Sequence, residues 1–554
     1  MLAAVAGTVA AHPVTRILLL GGYGGFGGRI APRLIAAGHE ILVAGRSLDK
    51  ARRFCANRPG LVPLAIDRGE IAEALAEHRP DMVVDASGPF QALGYDVPLA
   101  CIAAGVHYVD IADGRDFVCG IGVLDQAAKA AGVVILSGAS SVPALSGAAV
   151  RRLAQGMDRV RAVEMAISAS NKATAGPAVA AAILGQAGKS VQIWRGCRWV
   201  RAFGWQEIRR LSFACPGTKE ISGRAAALVD VPDLALLPGR LPGKPAVIFR
   251  AGTELAFQNR ALWLASWLVR AGLVVSLAPL ARWLRPLQGL TRNWGGDRSA
   301  MTVRLFGDIE DKRVERRWTL IADHGDGPEI PSLSVPPIVA RILSGQEPAG
   351  ARDAGMALTL GDYSDAFSGL AIRHSVEEEP AAPPLYARVM GGRFAQLPPE
   401  VRAMHHVFRD GGATGEAEVA GAANPVAALV ARIVSFPRPG HHKLHVHFSE
   451  ADGQEIWTRN FGGRQFRSHL SQRGPLLVER FGPFHFAFAL PSDDHGLTMV
   501  MRRWSLGSFP LPLWLAPRSV AREWVEDGRF YFDVPIKLPI IGQLVHYRGW
   551  LMPE

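Results

Sequence analysis

A run of closely spaced glycines near the amino terminus is the clearest chemical motif in the chain. The segment LLLGGYGGFGGRIA satisfies both GxGxxG and GxxGxxG, and it connects a predicted strand (15–20) to a predicted helix (27–38). Backbone without a Cβ can turn sharply and approach a pyrophosphate, and the amino end of a helix attracts phosphate. The segment therefore predicts a dinucleotide-binding loop. Its predicted cofactor contacts are Gly21, Gly22, Gly24, Gly25, Phe26 and Gly27.

The end of the second predicted strand (40–46) indicates which dinucleotide binds. NAD sites place an acidic residue there to bind the ribose hydroxyls. This strand instead ends in AGRS, with Arg46 and Ser47, and Arg52 and Arg53 follow one turn into the next predicted helix. A guanidinium is suited to a 2′-phosphate. We therefore predict NADP(H) rather than NAD, the alternative being that Arg46 is simply a solvated strand end.

A hydride transfer also needs a proton donor near the nicotinamide. The candidates lie in HYVDIADG, at the fifth predicted strand (107–113). Tyr108 or His107 would donate the proton, and Asp110 would orient the donor. The alternative interpretation is that strand alternation places Tyr108 in the core and that Asp110 caps a turn.

The elements around these residues predict an α/β protein of three regions. Residues 14–150 alternate strands and helices as in a Rossmann-type parallel sheet. Residues 151–375 contain alternating strands typical of a mixed α/β domain. Residues 386–554 contain short aromatic strands, which predict a β-rich (α+β) domain with an antiparallel sheet or half-barrel. The acidic, proline-containing segment 375–385 predicts a linker between the last two regions.

Composition excludes several classes of protein. The 554 residues include 61 basic and 50 acidic residues, a net charge of +11, but the arginines are spread evenly along the chain. Nucleic-acid binding would need a clustered basic stripe. Five cysteines without a CxxC pair argue against disulfides and structural zinc, and favour the cytoplasm. His445 and His447 alternate on a predicted strand but lack further ligands nearby, so no metal is predicted.

Residues 261–290 form an unusually apolar segment inside the second region. The stretch 261–281 contains a single charge, Arg270, while Trp263, Trp267 and Trp283 lie in and just beyond it. A central arginine would cost about 2.5–3.5 kcal/mol in a membrane span. Three interpretations are therefore open: a helix buried in a large domain, peripheral docking at the inner face of a membrane, and a true span.

Several ordered motifs resemble the saccharopine dehydrogenase-like oxidoreductases over roughly residues 15–375. They are the glycine loop, AGRS, ASGPFQALG (86–94) and AAGVHYVDIADG (103–114). The resemblance implies NADP(H) or NAD bound between a Rossmann domain and a mixed domain. It also implies that Ser87, Gly88 and Pro89 line the cofactor and that Asp67 neighbours the adenine. The C-terminal region is similar to a domain of unknown function that occurs fused to such reductases.

Together these features predict an NADP(H)-dependent oxidoreductase that reduces a C=O, C=N or C=C group. The long apolar segment favours an apolar or lipid-like small-molecule substrate, and a homo-oligomer is compatible with the sequence. Two alternatives remain open: a non-catalytic nucleotide-binding or regulatory protein, and a saccharopine-type amino-acid dehydrogenase.

Overall fold

The computed structural model describes residues 15–172, 177–281, 290–310 and 312–554. Its strands form two seven-stranded sheets, a large antiparallel sheet and a separate hairpin. The strands are β1 (Arg16–Leu20), β2 (Glu40–Gly45), β3 (Leu61–Ala65), β4 (Met82–Asp85), β5 (His107–Asp110), β6 (Val134–Ser137), β7 (Arg159–Ala169), β8 (Ser190–Arg195), β9 (Arg198–Phe203), β10 (Arg209–Phe213), β11 (Ile221–Leu228), β12 (Ala246–Thr253), β13 (Ser299–Ile309), β14 (Lys312–Ala322), β15 (Gly350–Asp353), β16 (Ile372–Pro380), β17 (Asp410–Ala420), β18 (Gly440–Ala451), β19 (Gln454–Phe461), β20 (Arg464–Arg473), β21 (Leu476–Phe481), β22 (Phe484–Ala489), β23 (Ser492–Asp493), β24 (Gly496–Leu506), β25 (Phe509–Leu511), β26 (Val520–Glu526), β27 (Arg529–Leu538) and β28 (Gly542–Pro553).

The α-helices of the described residues connect or cover these strands. They are α1 (Gly27–Ala36), α2 (Leu48–Cys55), α3 (Ile71–His78), α4 (Asp96–Ala104), α5 (Arg115–Gly120), α6 (Asp125–Ala130), α7 (Ser146–Ala154), α8 (Pro177–Gln186), α9 (Asp233–Leu236), α10 (Ala256–Arg270), α11 (Val335–Leu343), α12 (Ser364–Ser368), α13 (Leu385–Met390), α14 (Pro399–Met404) and α15 (Pro425–Ile433).

The first sheet confirms the predicted Rossmann-type fold. Its strand order is β15-β6-β5-β4-β1-β2-β3, and all neighbouring strands are parallel. The central strands are apolar and almost completely buried because helices cover both faces. The strand order reverses between β1 and β4, which places a crevice at their carboxyl ends. The sequence did not indicate the seventh strand, β15, which the chain adds more than 200 residues after β6.

The second sheet is mixed and has the order β10-β11-β12-β7-β13-β14-β16. Met301, Val303 and Leu305 alternate along β13 and are buried in the core that this sheet shares with the first. The predicted linker at 375–385 is wrong for its first half, because the acidic residues belong to the edge strand β16. This strand pairs with β14, and Arg316 donates to Glu378 at 2.6 Å. Cross-strand charge pairing therefore holds an acidic segment in the sheet.

The C-terminal region closes into a barrel, where the sequence predicted an antiparallel sheet or half-barrel. Ten antiparallel strands follow one another in the order β22-β21-β20-β19-β18-β17-β28-β27-β26-β24, and β22 pairs with β24 to close the ring. Alternate aromatic side chains, including Phe448, Trp457, Phe466 and Phe532, fill its core. Helices α13 and α14 pack against the same core.

The apolar segment of the second region begins with helix α10. Its buried residues are the polar Asn259 and Ser266, whereas Leu264 and Trp267 are 61% and 44% exposed. Among the described helices, none combines the length and apolarity that crossing a membrane would require. Residues 282–289, including Trp283, lie outside the described residues, as does Val14, the first residue of the predicted Rossmann region.

Candidate cofactor-binding site

The glycine loop lies at the carboxyl end of β1, beside the crevice, and its geometry leaves no room for a Cβ at Gly21, Gly24 or Gly27. Gly21 has φ +69°, and an added Cβ would lie 2.7 Å from the carbonyl oxygen of Ala86. A Cβ at Gly27 would lie 2.2 Å from the carbonyl oxygen of Gly21. At Gly25, by contrast, an added Cβ would meet no described heavy atom within 4 Å. The loop is thus tightly folded on itself and open at Gly25, as a phosphate-binding turn needs.

Within this loop, Tyr23 connects the glycines to the end of β2. Its hydroxyl accepts a hydrogen bond from the Ser47 backbone N–H at 3.0 Å. The Tyr23 ring also lies against Gly45, where an added Cβ would come within 2.6 Å of ring carbon atoms. Sequence reasoning missed Tyr23, because its neighbours in space follow it by more than 20 residues in the chain.

The predicted NADP-selecting residues lie at this strand end. Arg46 is exposed, and the ion pairs of the described residues do not include it. Ser47 is the N-cap of α2 and accepts from the Lys50 N–H at 3.4 Å. Arg52 and Arg53 are exposed on α2. The guanidinium of Arg46 is therefore available to an anion.

Asp67 occupies the end of β3 and has a capping role there. It caps the 3₁₀ turn Arg68–Glu70, and its Oδ1 accepts from the Gly69 N–H at 3.3 Å. The side chain is exposed, so contact with a neighbouring ligand is not blocked.

A buried ion pair supports the SGP loop at the end of β4. Asp85 is 0% exposed, and it accepts hydrogen bonds from the Ser87 N–H at 2.9 Å and from Arg68. Arg68 also donates to Ser87 Oγ at 2.6 Å. These contacts fix the start of the loop, while Gly88 is half-buried and Pro89 exposed beyond it. Sequence reasoning did not identify Asp85 or Arg68, although an acidic residue closing an apolar strand was a visible signal.

The three predicted catalytic residues lie in different environments along β5. His107 is at the amino end of the strand, opposite the cofactor crevice, and its Nδ1 accepts from the Val134 N–H at 3.0 Å. Burial lowers its pKa. Tyr108 is 0% exposed, its hydroxyl donates to Asp85 Oδ2 at 3.4 Å, and burial raises its pKa well above the usual value. Only Asp110 lies at the carboxyl end.

Asp110 joins the loops that follow β5 and β6. Its Oδ1 accepts from the Ala112 N–H at 2.9 Å, the Gly138 N–H at 2.8 Å and Ser137 Oγ at 3.0 Å. Its Oδ2 is buried and has no hydrogen-bond partner among the described residues. Burial raises the pKa of Asp110 to about 7, although the three hydrogen bonds oppose this rise.

The two histidines with metal-ligand spacing contact the second region instead. His445 Nε2 lies 2.8 Å from the Gly196 carbonyl oxygen, and His447 Nε2 lies 2.8 Å from Asp410 Oδ2. Asp410 in turn accepts from the Gly196 N–H at 2.6 Å. Both histidines therefore take part in attaching the barrel to the hairpin β8–β9.

Comparisons with known proteins agree with this division of the chain. Residues 17–136 match the family described as saccharopine dehydrogenase NADP binding domain, and residues 397–551 match a family described as a domain of unknown function (DUF4166). No curated protein matches the chain.

Among solved structures, the chain is similar to saccharopine dehydrogenase (L-Glu forming) from Saccharomyces cerevisiae, with 12% identity, 66% of this chain and 100% of that chain covered, and a TM-score of 0.45. It is also similar to amine dehydrogenase from Mycobacterium smegmatis, with 12% identity, 62% and 96% coverage, and a TM-score of 0.37. Scores of this size assign no function. The family matches show that a saccharopine dehydrogenase-type NADP-binding domain at residues 17–136 is joined to a DUF4166 domain at residues 397–551.

Proposed function

We propose that the protein is an NADP(H)-dependent oxidoreductase that reduces a C=O, C=N or C=C group of an apolar or lipid-like substrate. The observation that carries this proposal is the glycine loop at the β1–α1 junction. It lies beside the strand-order reversal, where parallel α/β sheets bind dinucleotides, and residues 17–136 match an NADP-binding family. The steric demands at Gly21 and Gly27, with open space at Gly25, fit a pyrophosphate against this loop.

The preference for NADP(H) over NAD is supported by Arg46. The end of β2 presents this exposed guanidinium where an NAD site would present a carboxylate. Its position permits a charge-assisted contact with a 2′-phosphate, and the exposed Arg52 and Arg53 add positive charge.

Within the catalytic set, we assign Asp110 a positioning role. It lies at the carboxyl end of β5 and holds the loops after β5 and β6, which flank the expected nicotinamide position. The complete burial of Tyr108 and the placement of His107 at the opposite strand end argue against either as proton donor. The proton would then come from the substrate-binding region.

Arginine pairing favours an apolar substrate over a dicarboxylic amino acid. Two arginines near the carboxyl edge of the first sheet already have carboxylate partners. Arg115 pairs with Asp230 at 3.0 Å, and Arg240 donates to Asp353 Oδ1 at 2.8 Å. Both guanidinium groups are therefore already paired within the protein and are not free to bind a substrate carboxylate. Exposed apolar residues in the described part of the segment 261–290, among them Leu264, Trp267 and Val275, support peripheral contact with a membrane, from which a lipid-like substrate would enter.

The test is consumption of NADPH by the full-length protein with three substrate series: aldehydes and ketones, cyclic imines, and enoyl esters of increasing chain length. We expect turnover that rises with chain length in one series. Turnover confined to amino acids that carry several carboxylates would support the saccharopine-type alternative. Cofactor binding without turnover in any series would favour the regulatory alternative.

A further inference from the structure

The two ends of the C-terminal barrel differ in the elements that form them. The strand register brings five connections to this end, namely residues 421–439, 462–463, 482–483, 507–519 and 539–541. The opposite end carries Asp410 and Glu554. These two residues contact Gly196 and Arg159 of the second region, at 2.6 Å and 3.0 Å. We call the end formed by the five connections the distal end.

The distal end concentrates the exposed apolar side chains of the barrel domain. Residues 386–554 contain twelve large apolar side chains that are exposed, and all except Met552 lie in or directly beside the five connections. The eleven are Val426, Leu429, Ile433, Val434, Phe484, Leu506, Phe509, Leu513, Trp514, Val520 and Ile540. A soluble surface rarely gathers so many, and such a patch indicates an interaction site.

On helix α15, the exposed apolar side chains follow the helical repeat. Val426, Leu429 and Ile433 are spaced three and four residues apart, so they lie on one face, and they are 60%, 60% and 74% exposed. Ala427 is buried against the barrel. With the half-buried Val430 and Ala431, Ala427 forms one apolar face that packs against the barrel core, while a second apolar face is directed outward.

Three of the five connections, residues 421–439, 507–519 and 539–541, are linked by hydrogen bonds. Asn424, the N-cap of α15, donates to the Ile541 carbonyl oxygen at 2.7 Å, which joins the helix to the β27–β28 turn. Close to that turn, the Arg518 N–H donates to the Lys537 carbonyl oxygen at 2.7 Å, which joins it to the connection that carries Trp514. Ile540, at the tip of the turn, is 100% exposed. The apolar residues thus lie on connected elements of one rim.

Charge at the distal end is of one sign. The five connections contain no aspartate or glutamate. Arg432, Arg438, Arg518 and Lys537 lie in or next to them and are exposed. None of the four has an ion-pair partner among the described residues. Exposed tryptophan and aliphatic residues with unpaired basic residues around them are typical of surfaces that enter the headgroup layer of an anionic membrane.

We propose that the distal end docks onto an anionic lipid bilayer, with Trp514, Ile540 and Leu429 entering the headgroup region and the surrounding basic residues facing anionic lipids. A second copy of the chain fits this surface less well. A symmetric contact would place the two sets of basic residues against each other. The proposal rests on residues of the barrel domain alone, so it does not depend on the cofactor or the substrate.

The experiment is co-sedimentation of the full-length protein with phosphatidylcholine vesicles, with and without phosphatidylglycerol, over a range of salt concentrations. We expect binding to the anionic vesicles that weakens as salt rises. Ile540→Asp and Trp514→Glu should each weaken it by about tenfold or more, because a charge then replaces an inserted apolar group. The matched control is Val123→Asp, at a side chain 76% exposed on the first domain, which should bind as the unmodified protein does.

Thermal melting and NADPH titration of each variant show whether the fold and the cofactor site are intact, and Trp267→Asp tests the other apolar segment separately. The proposal is overturned if the unmodified protein binds neither kind of vesicle, or if Ile540→Asp and Trp514→Glu bind normally. It is also overturned if sizing shows a dimer that Ile540→Asp dissociates while vesicle binding is absent.

Discussion

Replacement of Asp110 by asparagine should remove a pH-dependent cost of folding. Burial raises the pKa of this carboxyl from an ordinary 3.8 to about 7, so the folded state favours its neutral form. The unfolded chain releases the proton at lower pH, and the protein therefore loses stability as pH rises from about 4 to about 7. Between pH 5 and pH 8, the two pKa values give a loss of roughly 2.5 kcal/mol. The asparagine side chain does not titrate, and its carbonyl oxygen can accept the same three hydrogen bonds.

The assay is urea unfolding of the unmodified protein and of Asp110→Asn at pH 5 and pH 8. From pH 5 to pH 8, the unfolding free energy of the unmodified protein should fall by about 2.5 kcal/mol more than that of Asp110→Asn. Asp116→Asn, at an exposed carboxylate six residues away, is the control and should keep the pH dependence of the unmodified protein. The reasoning is refuted if Asp110→Asn retains that dependence as well.

Two further predictions concern the loops around the cofactor. Gly27→Ala should abolish dinucleotide binding and destabilise the fold by about 1–3 kcal/mol, because its Cβ would overlap the Gly21 carbonyl oxygen. Gly25→Ala, whose Cβ would lie in open space, should fold normally and lose only cofactor affinity. NADPH titration and thermal melting of the two glycine variants test this difference, and equal stability of Gly27→Ala and Gly25→Ala would contradict it. Arg68→Ala should cost about 3–5 kcal/mol in urea unfolding, because it leaves Asp85 buried without its cation. A change below about 0.5 kcal/mol would contradict that role.

The parts of the fold that follow local sequence patterns were predictable. Six apolar runs between residues 15 and 139 form strands β1 to β6 of the first sheet. Five of them are almost completely buried, and only β3, at the edge of the sheet, is partly exposed. The strand β15 has the sequence GARD and lacks an apolar run. It joins the sheet through pairing with β6, which lies far away in the chain. Barrel closure by β22 and β24 likewise depends on a long-range pairing that alternation does not encode.

The incorrect prediction of a linker at residues 375–385 has a different cause. An acidic run next to proline is typical of a linker when it is considered alone. In the structure, Glu378 lies opposite Arg316 on β14, and this partner 62 residues away makes a strand of the segment. Local composition could not reveal the complementary charge.

For the candidate site, sequence identified the backbone features better than the side-chain network. The glycine loop was evident because its spacing follows from steric demands. The acidic end of an apolar strand was a visible signal for Asp85, but its pairing with Arg68, 17 residues away, could not be deduced from sequence neighbours. Strand alternation did predict, as the alternative interpretation, that Tyr108 packs in the core, and the structure buries this side chain completely.

Titration of the purified protein with NADPH and with NADH, followed by nicotinamide fluorescence, tests the central proposal most directly. We predict that NADPH binds more tightly than NADH, and that Arg46→Ala lowers the NADPH affinity by about tenfold or more, since a charge-assisted hydrogen bond is lost. The NADH affinity should not change. Arg58→Ala, at an exposed arginine that stacks on Phe54, should behave as the unmodified protein. Failure to bind either nucleotide would contradict the oxidoreductase proposal, and an unchanged NADPH affinity in Arg46→Ala would contradict the role of Arg46.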